Sequence, residues 1–206
     1  MASLRLGLVD DVLTSGSTLD EAAACCKAAG GRDRVQPGSR AHAIICTMFQ
    51  VVLVEPQIPP NTGNVIRLCA NSGARLHLIQ PLGFPIDHAK MRRAGLDYHE
   101  FAAVRVHAGL AQWRADEQPD PQRIFAFTTR AVRSYAQAAY RPGDWLVFGS
   151  ETSGLPESLL AQLAPDQRLC LPMRPGNRSL NLSNAVAIAV YEGWRQNGFA
   201  DAAGAA

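Results

Sequence analysis

The sequence predicts an α/β fold built on a mostly parallel sheet, and three observations predict it. From Phe49 onward, short apolar runs alternate with amphipathic stretches at helical period, the pattern of a chain that crosses back repeatedly over one sheet. Polar loops rich in Asn, Ser and Gly follow three of those apolar runs, and the ends of strands are where open α/β sheets bind ligands. The length of 206 residues, 47% hydrophobic and 18% charged, suits one domain with a full core and a small appendage.

Taken in order, strands are expected at 50–54, 75–79, 123–127, 145–148 and 168–171, each a short apolar run bounded by turn residues. Helices are expected near 62–72, 88–94, 108–115, 156–163 and 183–196, the last stopping at Asn197-Gly198. The central part of that last helix, Ala185-Val-Ala-Ile-Ala-Val-Tyr191, is apolar nearly all round, so it belongs in a core or a subunit interface. The tail 201–206 has no periodicity and is expected to fray. The first 47 residues read as a separate piece: a strand at 4–9, a turn-rich loop, a helix near 18–29 and a polar stretch over 30–40.

The formal net charge of +2 rules out a generally basic wrapper of nucleic acid and leaves RNA contact to local arginine clusters. The five cysteines, Cys25, Cys26, Cys46, Cys69 and Cys170, form no CxxC pair, and no group of histidines accompanies them at ligand spacing, so no structural zinc site is expected. No segment reaches the length of apolar chain that a membrane span requires, and a reduced, cytoplasmic protein with no membrane partner is the expectation.

Three loops carry the chemistry. Pro59-Pro-Asn-Thr-Gly-Asn-Val-Ile-Arg67 follows the first strand: Asn61 or Thr62 can cap the next helix, Gly63 allows close approach, and Arg67 lies about one turn further on. Phe148-Gly-Ser-Glu-Thr-Ser-Gly-Leu-Pro156 follows the fourth: Gly149 and Gly154 free the backbone to wrap a ligand, and Pro156 suits a first helical turn. It is not a dinucleotide fingerprint, because Glu151 would repel a pyrophosphate. A ligand with hydroxyls or a positive centre fits better. Leu171 to Val186 links the last strand to the last helix, and its Ser179-Leu-Asn-Leu-Ser-Asn184 stretch holds more hydrogen-bonding side chains than one N-cap uses. Each loop alone is also readable as a helix cap; together, at successive strand ends, they favour one shared site.

In that order and spacing the three loops resemble the three motifs of the SpoU-TrmD, or SPOUT, RNA methyltransferases, over about residues 48–199. Ile58 to Asn64, Arg67-Leu-Cys-Ala-Asn71, Arg92-Arg-Ala-Gly-Leu-Asp-Tyr-His99 and Tyr191-Glu-Gly-Trp-Arg195 resemble the group within that class that methylates the 2'-hydroxyl of the tRNA wobble nucleotide, cytidine or modified uridine. The resemblance implies a parallel sheet with a C-terminal trefoil knot, an exception to the rule against knots, and a homodimer with its active sites at the interface. It further implies S-adenosyl-L-methionine as cofactor, held at Phe127, Gly149, Leu171 and the Ser179–Leu180 turn and flanked by Leu155 and Met173. Arg67 is expected near the reacting hydroxyl, although a guanidinium is a poor base. Asn61, Glu151 and Asn184 are expected to orient Arg67 or the ribose, or equally to hold the knot together. Arg92 and Arg93 are candidates for gripping the anticodon-loop backbone. No metal is required, and His88 and His99 receive no role.

Leu6 to Leu19, with Asp10, Asp11 and the Thr14–Thr18 loop, resembles the phosphoribosyl-pyrophosphate loop of type I phosphoribosyltransferases, especially the ComF-like family. The strands that normally precede that loop are absent, so residues 1–47 are expected to be a remnant of an upstream reading frame, with Met48 the natural start. Two rival functions follow: a phosphoribosyltransferase, and an RNA-binding protein that keeps the methyltransferase fold without its catalysis.

Overall fold

The structure, a computed structural model, describes residues 48–85 and 104–203; all of them belong to the unit spanning residues 43–206. The expected pieces within 1–47 and the helix expected near 88–94 lie outside the described residues.

Among the described residues, seven strands form one sheet in which every pairing is parallel. They are β1 (Phe49–Val54), β2 (Arg75–Ile79), β3 (Val104–His107), β4 (Ile124–Phe127), β5 (Arg133–Ser134), β6 (Asp144–Phe148) and β7 (Arg168–Cys170), and the sheet order is β3-β2-β1-β6-β4-β7-β5. The helices are α1 (Pro59–Ser72), α2 (Leu110–Glu117), α3 (Glu157–Leu160) and α4 (Leu182–Gln196). The central strands β1, β6 and β4 are buried along nearly their whole length, which is why they read in the sequence as continuous apolar runs rather than alternating ones. The edge strands β3 and β5 escape that reading. Val104-Arg-Val-His107 is exposed at its middle, and Arg133-Ser134 is too short and polar to announce itself.

Two apolar layers sandwich the sheet. On one face α1 and α4 pack over Phe49, Val51, Leu53, Leu76, Leu146 and Leu169; on the other, Trp113 of α2 and Leu155, Leu159 and Leu160 pack over Val52, Val54, Ile79 and Val147. Gly193 lets α4 approach the sheet closely: a Cβ there would stand 2.6 Å from the Phe49 ring. Helix α4 buries Leu182, Val186, Ala189, Val190 and Trp194 and leaves Ile188 and Tyr191 exposed. Its apolar girth is therefore half spent within the chain. No described helix is long and apolar enough to cross a membrane.

Arg123 at the foot of β4 grips the buried Asp144 of β6 with two hydrogen bonds, Nε to Oδ1 at 2.7 Å and Nη2 to Oδ2 at 2.5 Å, while the Arg141 N–H donates to Oδ2 at 2.7 Å. This clamp closes the amino ends of the central strands, at the opposite end of the sheet from the polar loops.

Candidate active site

A cleft of about 750 Å³ opens at the carboxyl ends of β1, β4, β6 and β7, lined by Ile58 and Asn61, by 127–130, by 148–155, and by residues of the stretch 171–185. Four parallel strands end here side by side, so their following loops meet although they lie up to about 120 residues apart in sequence.

A single chain of hydrogen bonds ties the three polar loops together. The Gln57 N–H donates to Oε2 of Glu151 at 2.8 Å, and Oε1 accepts from the Asn61 side-chain amide at 2.9 Å and the Ile58 N–H at 3.3 Å. Asn61 in turn accepts at Oδ1 from the Asn181 amide at 2.8 Å. Asn181 caps α4: its Oδ1 accepts from the Ser183 hydroxyl at 2.7 Å and the Asn184 N–H at 3.3 Å. Burial pushes the Glu151 carboxyl's pKa up, but the donors at Gln57, Asn61 and Ile58 outweigh it and hold the group below the ordinary carboxylate range.

This corrects the expected cap of α1. Neither Asn61 nor Thr62 is the cap; the helix starts at Pro59, its N-cap is Ile58, and no local side chain caps it. Two prolines fill the first turn and carry no N–H to satisfy, and the carboxylate of Glu151, some ninety residues away in sequence, takes the N–H groups just before them. Pro156 likewise stands at the N-cap of α3 rather than inside its first turn.

All seven residues expected to hold the cofactor line the cleft: Phe127, Gly149, Leu155, Leu171, Met173, Ser179 and Leu180. Phe127 stacks on Phe148 with ring centroids 4.5 Å apart, giving the cleft a flat apolar floor. Gly149 is obligatory, because a Cβ would meet Gly154 C at 2.1 Å and Leu155 N at 2.3 Å where the loop folds back on itself. Sequence reasoning missed Arg130 and Arg178, which also line the cleft; Arg178 sits within the third loop, and its signal was a cation among the neutral polar groups. Asn181 was seen only as one of several polar residues, since its role depends on where Asn61 stands.

Of the four residues expected to orient or drive the reaction, Asn61 and Glu151 meet at the cleft. Arg67 and Asn184 are exposed on α1 and α4 and do not line it. Arg92, Arg93, His88 and His99 lie outside the described residues.

The fold also groups residues that spacing along the chain keeps apart. His77, His107 and Glu117 place one ligand atom each within 4.8 Å of one another, a group without cysteine that spacing along the chain does not reveal. They lie on neighbouring strands and the helix that follows, a proximity that only the β2–β3 pairing creates. Burial, then the nearby His107, Arg105 and Arg75, pulls the His77 pKa down to about 3, so that ring is neutral at pH 7.

The family described as SpoU rRNA Methylase matches residues 48–191. A tRNA (cytidine(34)-2'-O)-methyltransferase of Burkholderia pseudomallei (strain 1106a) is 68% identical over 152 residues, covering 74% of this chain and 97% of that protein. The enzyme of the same name from Escherichia coli (strain K12) is 53% identical over 152 residues, covering 74% and 96%. A solved structure concerned with the 2-OH methylation of C/U34 on tRNA superposes with a TM-score of 0.66 at 44% identity, covering 74% of this chain and 92% of the other.

Proposed function

This chain belongs to the SpoU rRNA Methylase family, and on that premise we propose that it transfers a methyl group from S-adenosyl-L-methionine to the ribose 2'-hydroxyl of nucleotide 34 of tRNA, cytidine or uridine. The observation that carries the reading is the Glu151–Asn61–Asn181 chain, which draws three loops from distant parts of the sequence around one cleft. Relatives named for that reaction, at 68% and 53% identity over nearly their full length, supply the substrate.

The residues present fit the cofactor. S-adenosylmethionine supplies an electrophilic methyl group on a sulfonium. The stacked Phe127 and Phe148 and the buried Leu155 offer an apolar wall of the kind an adenine needs. Gly149, Leu171 and the Ser179–Leu180 turn offer backbone groups beyond the sheet ladder, Met173 flanks them, and Arg130 and Arg178 are cations suited to a carboxylate. Glu151, ionised at neutral pH, holds Asn61 and the entry to α1 in place.

The acceptor hydroxyl must be oriented in line and lose a proton as the new bond forms. Arg67 is the residue assigned near it. A guanidinium does not act as a base at neutral pH, so Arg67 stabilises the developing alkoxide and grips the RNA backbone while the proton passes to solvent water. Since Arg67 and Asn184 stand outside their own chain's cleft, the reading places them at the partner's cleft in a homodimer; the exposed Ile188 and Tyr191 on α4 support an apolar subunit interface. Arg92 and Arg93 grip the anticodon loop in this reading, and a tRNA substrate makes the cytoplasm the site of action. The C-terminal segment supports the expected knot by returning from β7 to bond Asn61 beside β1.

The enzyme domain is taken as 48–199, since the family match begins at residue 48, with 1–47 a non-functional phosphoribosyltransferase-like extension and 200–206 a tail. Intact-mass measurement of the natively expressed protein tests this: a mature chain starting at Met48 is expected, and one retaining Met1 or Ala2 contradicts it.

Incubation with methyl-labelled cofactor and total RNA, tRNA and ribosomal RNA together, tests the activity. Label in tRNA nucleosides is expected; label only in ribosomal RNA overturns the substrate, and none overturns the enzyme. Mixing Arg67→Ala with Gly149→Val chains tests the shared site: each alone is inactive, and subunit exchange restores turnover if Arg67 serves the partner's cleft. No restoration contradicts that arrangement.

A further inference from the structure

Away from the cleft, the pairing of β2 with β3 sets His77 opposite Arg105 and Ile79 opposite His107, so the two histidines lie diagonally on one face of the sheet. Helix α2 folds back over that face. Its Trp113 stacks edge-on against Trp145 at 5.3 Å, Trp145 lies 5.0 Å from the His77 ring, and Asp116 and Glu117 at its end close the corner. The side chains of His77, His107 and Glu117 are 0%, 3% and 10% exposed.

His77 Nδ1 and His107 Nε2 are 3.1 Å apart, and Oε1 of Glu117 lies 3.7 Å from the first and 3.8 Å from the second. The point equidistant from the three corners of that triangle lies about 2.1 Å from each, within the bond length of about 2.0–2.2 Å that zinc makes to imidazole nitrogen and carboxylate oxygen. The other nitrogen of each ring is occupied: His77 Nε2 faces Gln50 Oε1 at 2.9 Å, and His107 Nδ1 faces Asp116 Oδ2 at 3.4 Å. Both partners are acceptors, so each ring can hold a hydrogen on that side. In that tautomer the nitrogens that face each other are both lone pairs, set beside a carboxylate oxygen in a dry corner. A cation bridging the two nitrogens satisfies them. An outward N–H held by an amide or carboxylate oxygen is also how histidines are oriented around metals.

We propose that His77, His107 and Glu117 form a binding site for a zinc-like divalent cation, with Gln50 and Asp116 orienting the two rings and solvent completing the coordination from the Asp116 side. None of these residues lines the cleft, so the cation is structural: it staples the edge strand β3 and the end of α2 to β2. Arg105 Nη1, 2.7 Å from Glu117 Oε1, competes for the same oxygen and tempers the affinity.

The test uses the full chain carrying Cys25→Ser, Cys26→Ser and Cys46→Ser, which removes thiol ligands from residues 1–47. After stripping with chelator, zinc is titrated against a chromophoric competitor and cobalt is followed by its visible absorption. One saturable site per chain is expected, with a rise in Tm on adding zinc. Glu117→Gln, at the outer end of the site, weakens zinc by at least about tenfold, and Asp116→Asn, which touches no metal, by about tenfold. Arg105→Gln, on a half-exposed side chain, tightens it. Absence of one-to-one binding, or an affinity that Glu117→Gln and Asp116→Asn leave unchanged, overturns the proposal. The corner would then be a run of N–H bonds from Gln50 through both histidines to Asp116, with the Gln50 amide turned over.

Discussion

Two carboxylates organise two regions of this molecule. Glu151, at the mouth of the cleft, gathers donors from Gln57, Ile58 and Asn61 and stays within reach of solvent; Glu117, at the sheet edge, closes a corner where two histidines are shut away from water. At the cleft every group of the Glu151–Asn61–Asn181 chain has a partner of opposite polarity, so the loops are set in place before any ligand arrives, and the open side is free to exchange ligands. In the corner, two ring nitrogens face each other 3.1 Å apart beside a carboxylate, and the proposed cation would bridge them. Polar groups prepared for turnover and polar groups prepared for permanence are thus distinguished by access and by whether their bonding is complete without a guest.

The strongest way to break the cleft without touching the corner is Gly149→Val, whose Cβ cannot fit beside Gly154 and Leu155. Cofactor affinity by calorimetry should fall at least about 100-fold, while zinc binding is unchanged. The converse is His77→Ala. It opens a cavity under Trp145, so urea denaturation should show a loss of about 3 kcal/mol, with cofactor affinity within about twofold of wild type.

Those two experiments address features of unequal visibility in the sequence. Strands β1, β4 and β6 were legible because burial on both faces leaves nearly continuous apolar runs, and β2 and β7 as short apolar runs between turn residues; the cleft was legible because each of its loops directly follows such a run. The cap of α1 was not, since Glu151 reaches it from another loop, and no local pattern encodes a partner some ninety residues away. The histidine corner was invisible for a related reason: His77 and His107 are thirty residues apart and meet only because β3, an edge strand interrupted by Arg105, pairs with β2. The separation of Arg67 and Asn184 from their own cleft was also hidden, because sequence order says nothing of which face of a helix looks toward the loops.

A milder change sharpens the cleft side. Glu151→Gln keeps the shape but turns a donor toward the Gln57 or Ile58 N–H, and should cost about 1–2 kcal/mol in urea denaturation. The smallest effect is its pH dependence. The folded-state pKa of Glu151 lies below its unfolded value of about 4.3, so its stabilising contribution is complete above that pH and is lost as the pH falls through the folded pKa. Denaturation midpoints from pH 7 to pH 3 should therefore converge between wild type and Glu151→Gln at the acid end; a gap of constant size would mean that the carboxylate's charge contributes nothing.

The most direct measurement of the central claim is nucleoside mapping of tRNA after reaction with the purified chain and methyl-labelled S-adenosylmethionine. The proposed function predicts label on the ribose 2'-oxygen of nucleotide 34, lost when Arg67 is replaced by Ala while cofactor binding persists. Label on a base, or on a ribose elsewhere in the tRNA, would contradict it.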